Sequence, residues 1–509
     1  MAVQRVASQQ QLTPQQWTQV VIIAGIGTCL EWFDFYTYTQ LNATLEKVFF
    51  PTNNEAVQAL SFWGVYAAGF VVRPIGALIF GHIGDTKGRN RCLLISICCM
   101  AFATIAIGVL PTFAIAPYAA GVAAPVLLAL CRILQGLAMG GEFGSAVIYI
   151  SELAHKDRRG AFVATLQMSV NVGMVVATLL VMLLQNTLSL DAMLAWGWRI
   201  PFLCAFVTAL LGAALRSTMP EPKAFLTAAR LAKLRSTADG GDAADKAVGS
   251  CDPSTLDMDV EVATNKDPLE KGEEEANGGS NGHAGTLDKI AMITERLHGH
   301  SDAKVPIVRL LRNNALGVVL QMISGAFYVT VSWLAKDLRT YGYSLIVTQG
   351  VLVVSLIPNA IGLLTGGMLL DAGVPTIHLN AVVVVIGTGL GFAVYPSVGI
   401  SVAYAWGLVS MFHFIIGIAM ANVAMPCTRI YEPLSRTTGY SFAYNCGYGV
   451  IGGLSPLAVA AIKANLPGYA HTYAPAIWLA CLGGISVVGT IGLMLYQPRL
   501  AKPHVGKIE

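Results

Sequence analysis

The sequence predicts an all-α membrane protein, with 12 transmembrane helices in two six-helix pseudo-repeat bundles. Three observations lead there: a dry composition, apolar runs that fall as six, a polar insert and six more, and an echo between the two halves. Of 509 residues, 55% are hydrophobic and 12% charged, with a mean hydropathy of +0.61. A soluble domain carries about 25% charged residues. The charges are also gathered in one place, because residues 217–313 hold 16 of the 29 acidic side chains. A chain so poor in charge elsewhere reads as a multi-span membrane protein rather than a soluble enzyme.

About 20 apolar residues cross the hydrocarbon as a helix. Runs of that length lie near 19–41, 58–82, 91–110, 123–149, 160–186 and 197–216, then near 315–335, 345–370, 376–394, 400–425, 437–463 and 472–496. The expected organisation is an N-terminal segment (1–18), a first bundle (19–216), a linker (217–313), a second bundle (314–497) and a tail (498–509). The N-terminal segment is polar and Gln-rich without a secretory pattern, so no cleavage is expected. The linker, with stretches such as NKDPLEKGEEEANGGSNGH, is expected to be disordered, since it has too little apolar surface to offset the entropy of ordering. The ten cysteines lie mostly in apolar runs without a Cys-x-x-Cys pair and read as small core residues.

Basic residues follow the even spans: Lys87, Arg89 and Arg91 after the second, Lys156, Arg158 and Arg159 after the fourth, and Arg216, Lys223 and Arg230 after the sixth. The positive-inside rule then places both termini and the linker in the cytoplasm. The echo between halves is short but registered. Gly81-x-x-x-Asp85 after the second span answers Gly367-x-x-x-Asp371 after the eighth, and Gly136-Leu-Ala-Met answers Gly417-Ile-Ala-Met. Repeats of this kind imply parallel halves with a transport site between them at mid-membrane.

Several ionisable residues lie inside the apolar runs, where a charge is costly and a functional reading stands beside a structural one. Glu31 and Asp34 in the first span are three apart and share a helix face near mid-membrane. Two carboxylates in one low-dielectric site repel when both are ionised, so one can load and release a proton; the bland alternative is a structural pair tied to an arginine on a neighbouring helix. In the fourth span Arg132, Gln135, Met139 and Glu142 form one stripe facing the interior. Arg132 forks onto carboxylates and suits either an anionic substrate or Glu31 and Asp34, while Glu142 joins the proton-coupling acids. Arg73, beside the kinking Pro74, is open to both roles as well. Tyr38, Gln321, Tyr328, Tyr444 and Asn445 complete the residues expected to bind substrate. Gly136, Gly140, Gly141 and Gly144 permit close helix approach. At the cytoplasmic end Gly81, Asp85, Gly88 and Arg89, with Glu152, Arg158 and Arg159, read as a gating latch of salt bridges.

Residues 81–91 carry the spacing G-x-x-G-D-x-x-G-R-x-R. This resembles the loop between the second and third helices of the major facilitator superfamily. EWFDFYTY, RPIGALIFGHIGDTKGR, RILQGLAMGGEFGSAVIYISE, WGWRIPF and RTTGYSFAYNCGYGVIGGLSP look like the metabolite:H⁺ symporter branch of that superfamily, which includes proline/betaine, 2-oxoglutarate, citrate and shikimate permeases. The resemblance implies the major facilitator fold and proton-driven symport of a small carboxylated metabolite; a monomer is expected, with the plasma membrane as the default location. Two features depart from it: the loop after the eighth span, LLDAGVPTIH, lacks basic residues, and the linker is unusually acidic.

Two other readings stay open at this stage. MPEPKAF after the sixth span faintly suggests a proton-independent sugar or polyol facilitator, and a non-transporting membrane sensor is the alternative of another class. No catalytic residue, metal site, cofactor or nucleic-acid partner is expected; the expected partners are a small-molecule substrate, protons and the lipid membrane.

Overall fold

A computed structural model describes residues 14–113, 119–154, 158–217, 333–334, 338–339, 341–397, 399–430, 436–466 and 473–500, and every regular element among them is a helix. Ten helical segments are long and apolar enough to cross a membrane. Helix Pro14–Gln40 adds an eleventh, since its 27 residues rise about 40 Å at 1.5 Å per residue. These fall at eleven of the twelve expected places. Most of the seventh run, with Gln321 and Tyr328, lies outside the described residues, as do the linker beyond Ser217, residues 1–13 and residues 501–509.

Span ends run past the apolar cores because polar residues cap them. The second span occupies Glu55–Lys87 rather than 58–82, for instance. The Asn54 side chain accepts hydrogen bonds from the backbone N–H of Ala56 (3.0 Å) and Val57 (3.2 Å), which fixes the helix start ahead of the apolar run. The same span breaks at Val72 (φ −83°, ψ −12°), between helices Glu55–Val71 and Arg73–Lys87. Pro74 has no N–H to give to Phe70 and its ring opposes that carbonyl, so the helix restarts with Ile75 and Gly76 donating to the Val72 carbonyl. At the end of the span Gly88 has φ 109° and ψ 149°, a conformation open essentially to glycine, and the chain turns there into the third span.

The helices pack inside out relative to a soluble protein. Ile75, Leu78, Phe102, Leu183, Phe206 and Val488 are exposed on the outside, while Glu31, Arg73, Arg132, Glu142 and Arg216 are each no more than 1% exposed. Apolar surface meets lipid and polar groups turn to the bundle interior. Second and fourth spans touch backbone to backbone: a Cβ on Gly136 would stand 1.7 Å from the Gly69 carbonyl oxygen. Its counterpart in the second half behaves alike, a Cβ on Gly417 reaching 2.3 Å from the Asn359 carbonyl oxygen on the eighth span. The echo read in the sequence is therefore an echo in packing. Gly136→Ala must push these helices apart and is expected to lower stability by about 1–3 kcal/mol, read as a lower melting temperature in detergent.

Across the halves the second span packs on the eleventh and the fifth on the eighth. Asn171 donates to Asn359 (2.8 Å) in the buried middle of the second of these contacts.

Candidate functional site

Three clusters hold most of the buried charged residues. The first surrounds Phe35 on the first span. The Arg132 guanidinium carbon lies 4.2 Å from the Phe35 ring centroid and 4.3 Å from that of Tyr38, and the Arg73 guanidinium carbon lies 4.7 Å from Phe35 and 3.8 Å from Phe70. Tyr38 is itself stacked on Phe62, with centroids 4.6 Å apart. Guanidinium over an aromatic face is favourable, and more so in a desolvated setting. Arg132 donates to the Gln135 carbonyl oxygen (2.8 Å), whose amide donates to Thr104 (2.7 Å). Arg73 has a sulfur contact to Met139 at 3.1 Å.

Neither arginine has a carboxylate within ion-pair distance among the described residues, and Arg132 keeps Nε and Nη2 without a hydrogen-bond partner. Arg132 thus does not sit on Glu31 or Asp34 here. Its fork is taken on one side only.

The second cluster joins the first, fourth and sixth spans. Arg216 forms a salt bridge with Glu142 and also donates to the Leu93 carbonyl (3.0 Å). Glu31 stands with its buried carboxyl against that of Glu142, and no basic side chain lies within ion-pair distance of it among the described residues. Asp34 accepts from the Thr208 hydroxyl at 3.1 and 3.2 Å. Arg216 was legible only as one of the basic residues at a span end. The signal for more was its place inside helix Ala205–Ser217, still in the apolar run, where an arginine needs a buried partner.

From the second half Asn445 reaches into this region, donating to the Gly140 carbonyl on the fourth span (2.6 Å), and Tyr444 stacks on Phe143 (4.8 Å). Asn445 opens a π-helical stretch, Asn445–Val450, in the eleventh span. Such widened turns re-aim side chains and frequently occur at functional sites. A Cβ on Gly449 in that stretch would lie 3.5 Å from the Arg73 side chain, so Arg73 borders the contact between the halves.

The third cluster is at the cytoplasmic end. Asp85 accepts from the backbone N–H groups of Thr437 (3.2 Å) and Thr438 (2.9 Å) and from the Thr438 hydroxyl (2.7 Å), capping the start of the eleventh span. Arg89 lies 3.4 Å from Asp85 and 3.5 Å from Glu152, and Arg436 lies 3.2 Å from Glu152. A Cβ on Gly81 would stand 2.7 Å from Thr438, so the glycine lets the two spans meet. Glu152 meets Arg89 and Arg436, and not Arg158 or Arg159. Arg158 is exposed at the head of the fifth span, and Arg159 donates to the Ala154 carbonyl (3.3 Å), while the end of the fourth span faces the eleventh. The second-half loop that lacks basic residues has the same cap: Asp371 accepts from the N–H groups of Gly160 (2.7 Å) and Ala161 (2.9 Å) at the start of the fifth span. A carboxylate at a helix N-terminus satisfies orphan N–H groups and meets the positive end of the dipole, and neither requires a nearby base.

Comparison with known proteins agrees with this architecture. Residues 20–284 match the family described as Sugar (and other) transporter. The alpha-ketoglutarate permease of Escherichia coli (strain K12) is 39% identical over 201 residues, covering 40% of this chain and 46% of the relative. The proline/betaine transporter of Salmonella typhimurium is 35% identical over 207 residues, covering 41% of each. The matched stretch spans less than half the length of these curated relatives. Among solved structures, the major facilitator superfamily proton:xylose symporter XylE superposes with a TM-score of 0.68 at 16% identity, over 94% of this chain and 95% of that one. The human organic anion transporter MFSD10 superposes with a TM-score of 0.58 at 14% identity, over 94% and 99%. These two likenesses speak for the fold alone. The chain is a multi-pass membrane protein of the sugar (and other) transporter family, with the fold of the major facilitator transporters it superposes on.

Proposed function

We propose that this protein is a secondary active transporter that couples proton entry to uptake of a small carboxylated metabolite by alternating access. The observation that carries the proposal is the pair of buried arginines, Arg73 and Arg132, set around Phe35 with no carboxylate in ion-pair distance among the described residues. Buried charge without a counter-ion is expensive, so a mobile anion is the fitting partner. The faces of Phe35, Phe70 and Tyr38 already carry guanidinium groups, which leaves less aromatic surface for a quaternary ammonium and favours an organic acid over a betaine. Similarity to the alpha-ketoglutarate permease supports the same class. Gln135, Tyr38, Tyr444 and Asn445 are the proposed substrate-binding residues among those described, and the expectation for Gln321 and Tyr328 falls outside the described residues.

Glu31, Asp34 and Glu142 form the acid cluster in which the coupled proton is carried. The protein works as a monomer in the plasma membrane, with the bundles at 19–216 and 314–497 and with the termini and the 217–313 linker in the cytoplasm. The test is uptake into proteoliposomes with and without an inward proton gradient, using labelled alpha-ketoglutarate, proline, glycine betaine and xylose. Gradient-dependent accumulation of the dicarboxylate is expected. Equal uptake of xylose with and without the gradient, and none of the acids, would overturn the proposal.

The cytoplasmic cluster gates this cycle. Asp85→Ala removes three accepted hydrogen bonds and the Arg89 contact, so the closed cytoplasmic end is expected to lose about 1–3 kcal/mol, a 5- to 150-fold shift toward the inward-open state. A cysteine in place of Ser441, packed behind the latch against Gly144, then labels faster from the cytoplasmic side. Asp85→Asn keeps one acceptor and falls between. Labelling unchanged in both variants would confine Asp85 to capping.

A further inference from the structure

The second cluster holds more than the proposed coupling needs. Two glutamates from different helices stand side by side, and one arginine meets only one of them. Arg216 bridges Glu142 and donates to the Leu93 carbonyl on the third span. It is also wedged against the first span, where a Cβ on Gly27 would lie 2.7 Å from both its Nε and Nη2. Glu31 sits one helical turn beyond Gly27, its carboxyl against that of Glu142 and without an ion-pair partner among the described residues. Arg216, Glu142 and Glu31 are all no more than 1% exposed. The other ionisable groups facing them are Asp34, held by Thr208, Cys92 on the third span, bonded to Ser145 and to the Phe80 carbonyl, and Arg73, stacked on Phe35 and Phe70.

We infer that Arg216 is a positioning residue for proton coupling: it holds Glu142 as an ionised partner and so leaves Glu31 as the carboxyl that takes and releases the transported proton. Resting on the transport reading above, this inference divides the work between its acids. A dry site tolerates a paired charge and penalises a lone one. The Arg216–Glu142 pair is neutral within itself and Asp34 is held by the Thr208 hydroxyl, so Glu31 is the carboxyl left to gain and lose the proton. The step is a simple balance, since a proton from the outer solution forms the O–H bond of Glu31 and leaves to the cytoplasm after the conformational change. The wedge against Gly27 gives that change a handle, because sliding the first span past the sixth moves Glu31 relative to Arg216.

Breaking the pair from either side should therefore uncouple the carrier, and removing the pair whole should not. Glu142→Gln frees Arg216 to pair with Glu31, a self-neutral arrangement that needs no proton. Gradient-driven accumulation is then lost to the level seen without a gradient, while counterflow exchange persists. Glu142→Gln/Arg216→Gln returns Glu31 to a site without a competing cation and is expected to restore accumulation. Arg216→Lys keeps the charge and keeps accumulation.

The measurement is labelled uptake in proteoliposomes, normalised to inserted protein, using whichever of alpha-ketoglutarate, proline and glycine betaine the unmodified protein accumulates best. A purely structural pair lowers accumulation and counterflow together in each single variant, and that result overturns the inference. So does a double variant that exchanges without accumulating, or one that fails to insert, because a self-contained pair is removable as a unit. Failure of the unmodified protein to respond to the gradient would instead overturn the transport reading.

Discussion

Arg132→Ala is expected to abolish substrate uptake in protein that still inserts and folds. The guanidinium is fully buried, one side of its fork is spent on Gln135, and Nε and Nη2 point to no partner among the described residues. Losing one member of a buried hydrogen-bonded charge pair costs about 2–5 kcal/mol, roughly 30-fold or more in affinity. Arg132→Lys keeps the charge but loses the planar fork and its stacking on Phe35 and Tyr38, so it is expected to fall between. Apparent affinity measured in proteoliposomes checks both variants. An alanine variant with normal affinity would assign Arg132 to packing the aromatic cluster.

Glu31→Gln is expected to separate transport from its driving force. With a neutral amide at this position no proton is loaded, so accumulation under an inward proton gradient disappears while exchange of internal for external substrate continues. Asp34→Asn is expected to be milder, because the carbonyl of the new side-chain amide can still accept from Thr208. Full accumulation in both variants would remove the first-span acids from the coupling.

How much of this was legible beforehand depends on the range over which each feature is decided. A membrane span is specified locally, by about 20 apolar residues, and eleven of the twelve expected runs appear as helices long enough to cross. Close-packing glycines are nearly as local, because Gly136 and Gly417 sit in matching tetrapeptides and both meet a carbonyl of a neighbouring helix. Interhelical partners are not local at all. The expected set did join Arg89 to Glu152, but nothing near Glu152 marks Arg436 as its second partner 284 positions away, where Arg158 and Arg159 are the basic residues close in sequence. The loop at Asp371 lacks the basic residues of its first-half counterpart, yet a helix start asks only for an acceptor, and Asp371 supplies two oxygens to Gly160 and Ala161. Phe35 was hidden for another reason. In an apolar span a phenylalanine carries no signal until two arginines from other helices are found over its ring.

The central claim is that protons and a carboxylated substrate move together through this protein. Its most direct test is the proton flux set off by substrate. Purified protein is reconstituted with a pH-sensitive dye inside the vesicles and no imposed gradient, and alpha-ketoglutarate is added outside. Acidification of the lumen that tracks labelled alpha-ketoglutarate uptake, and that vanishes in Arg132→Ala and Glu31→Gln vesicles, is the predicted result. Substrate entry without a change in internal pH would contradict it.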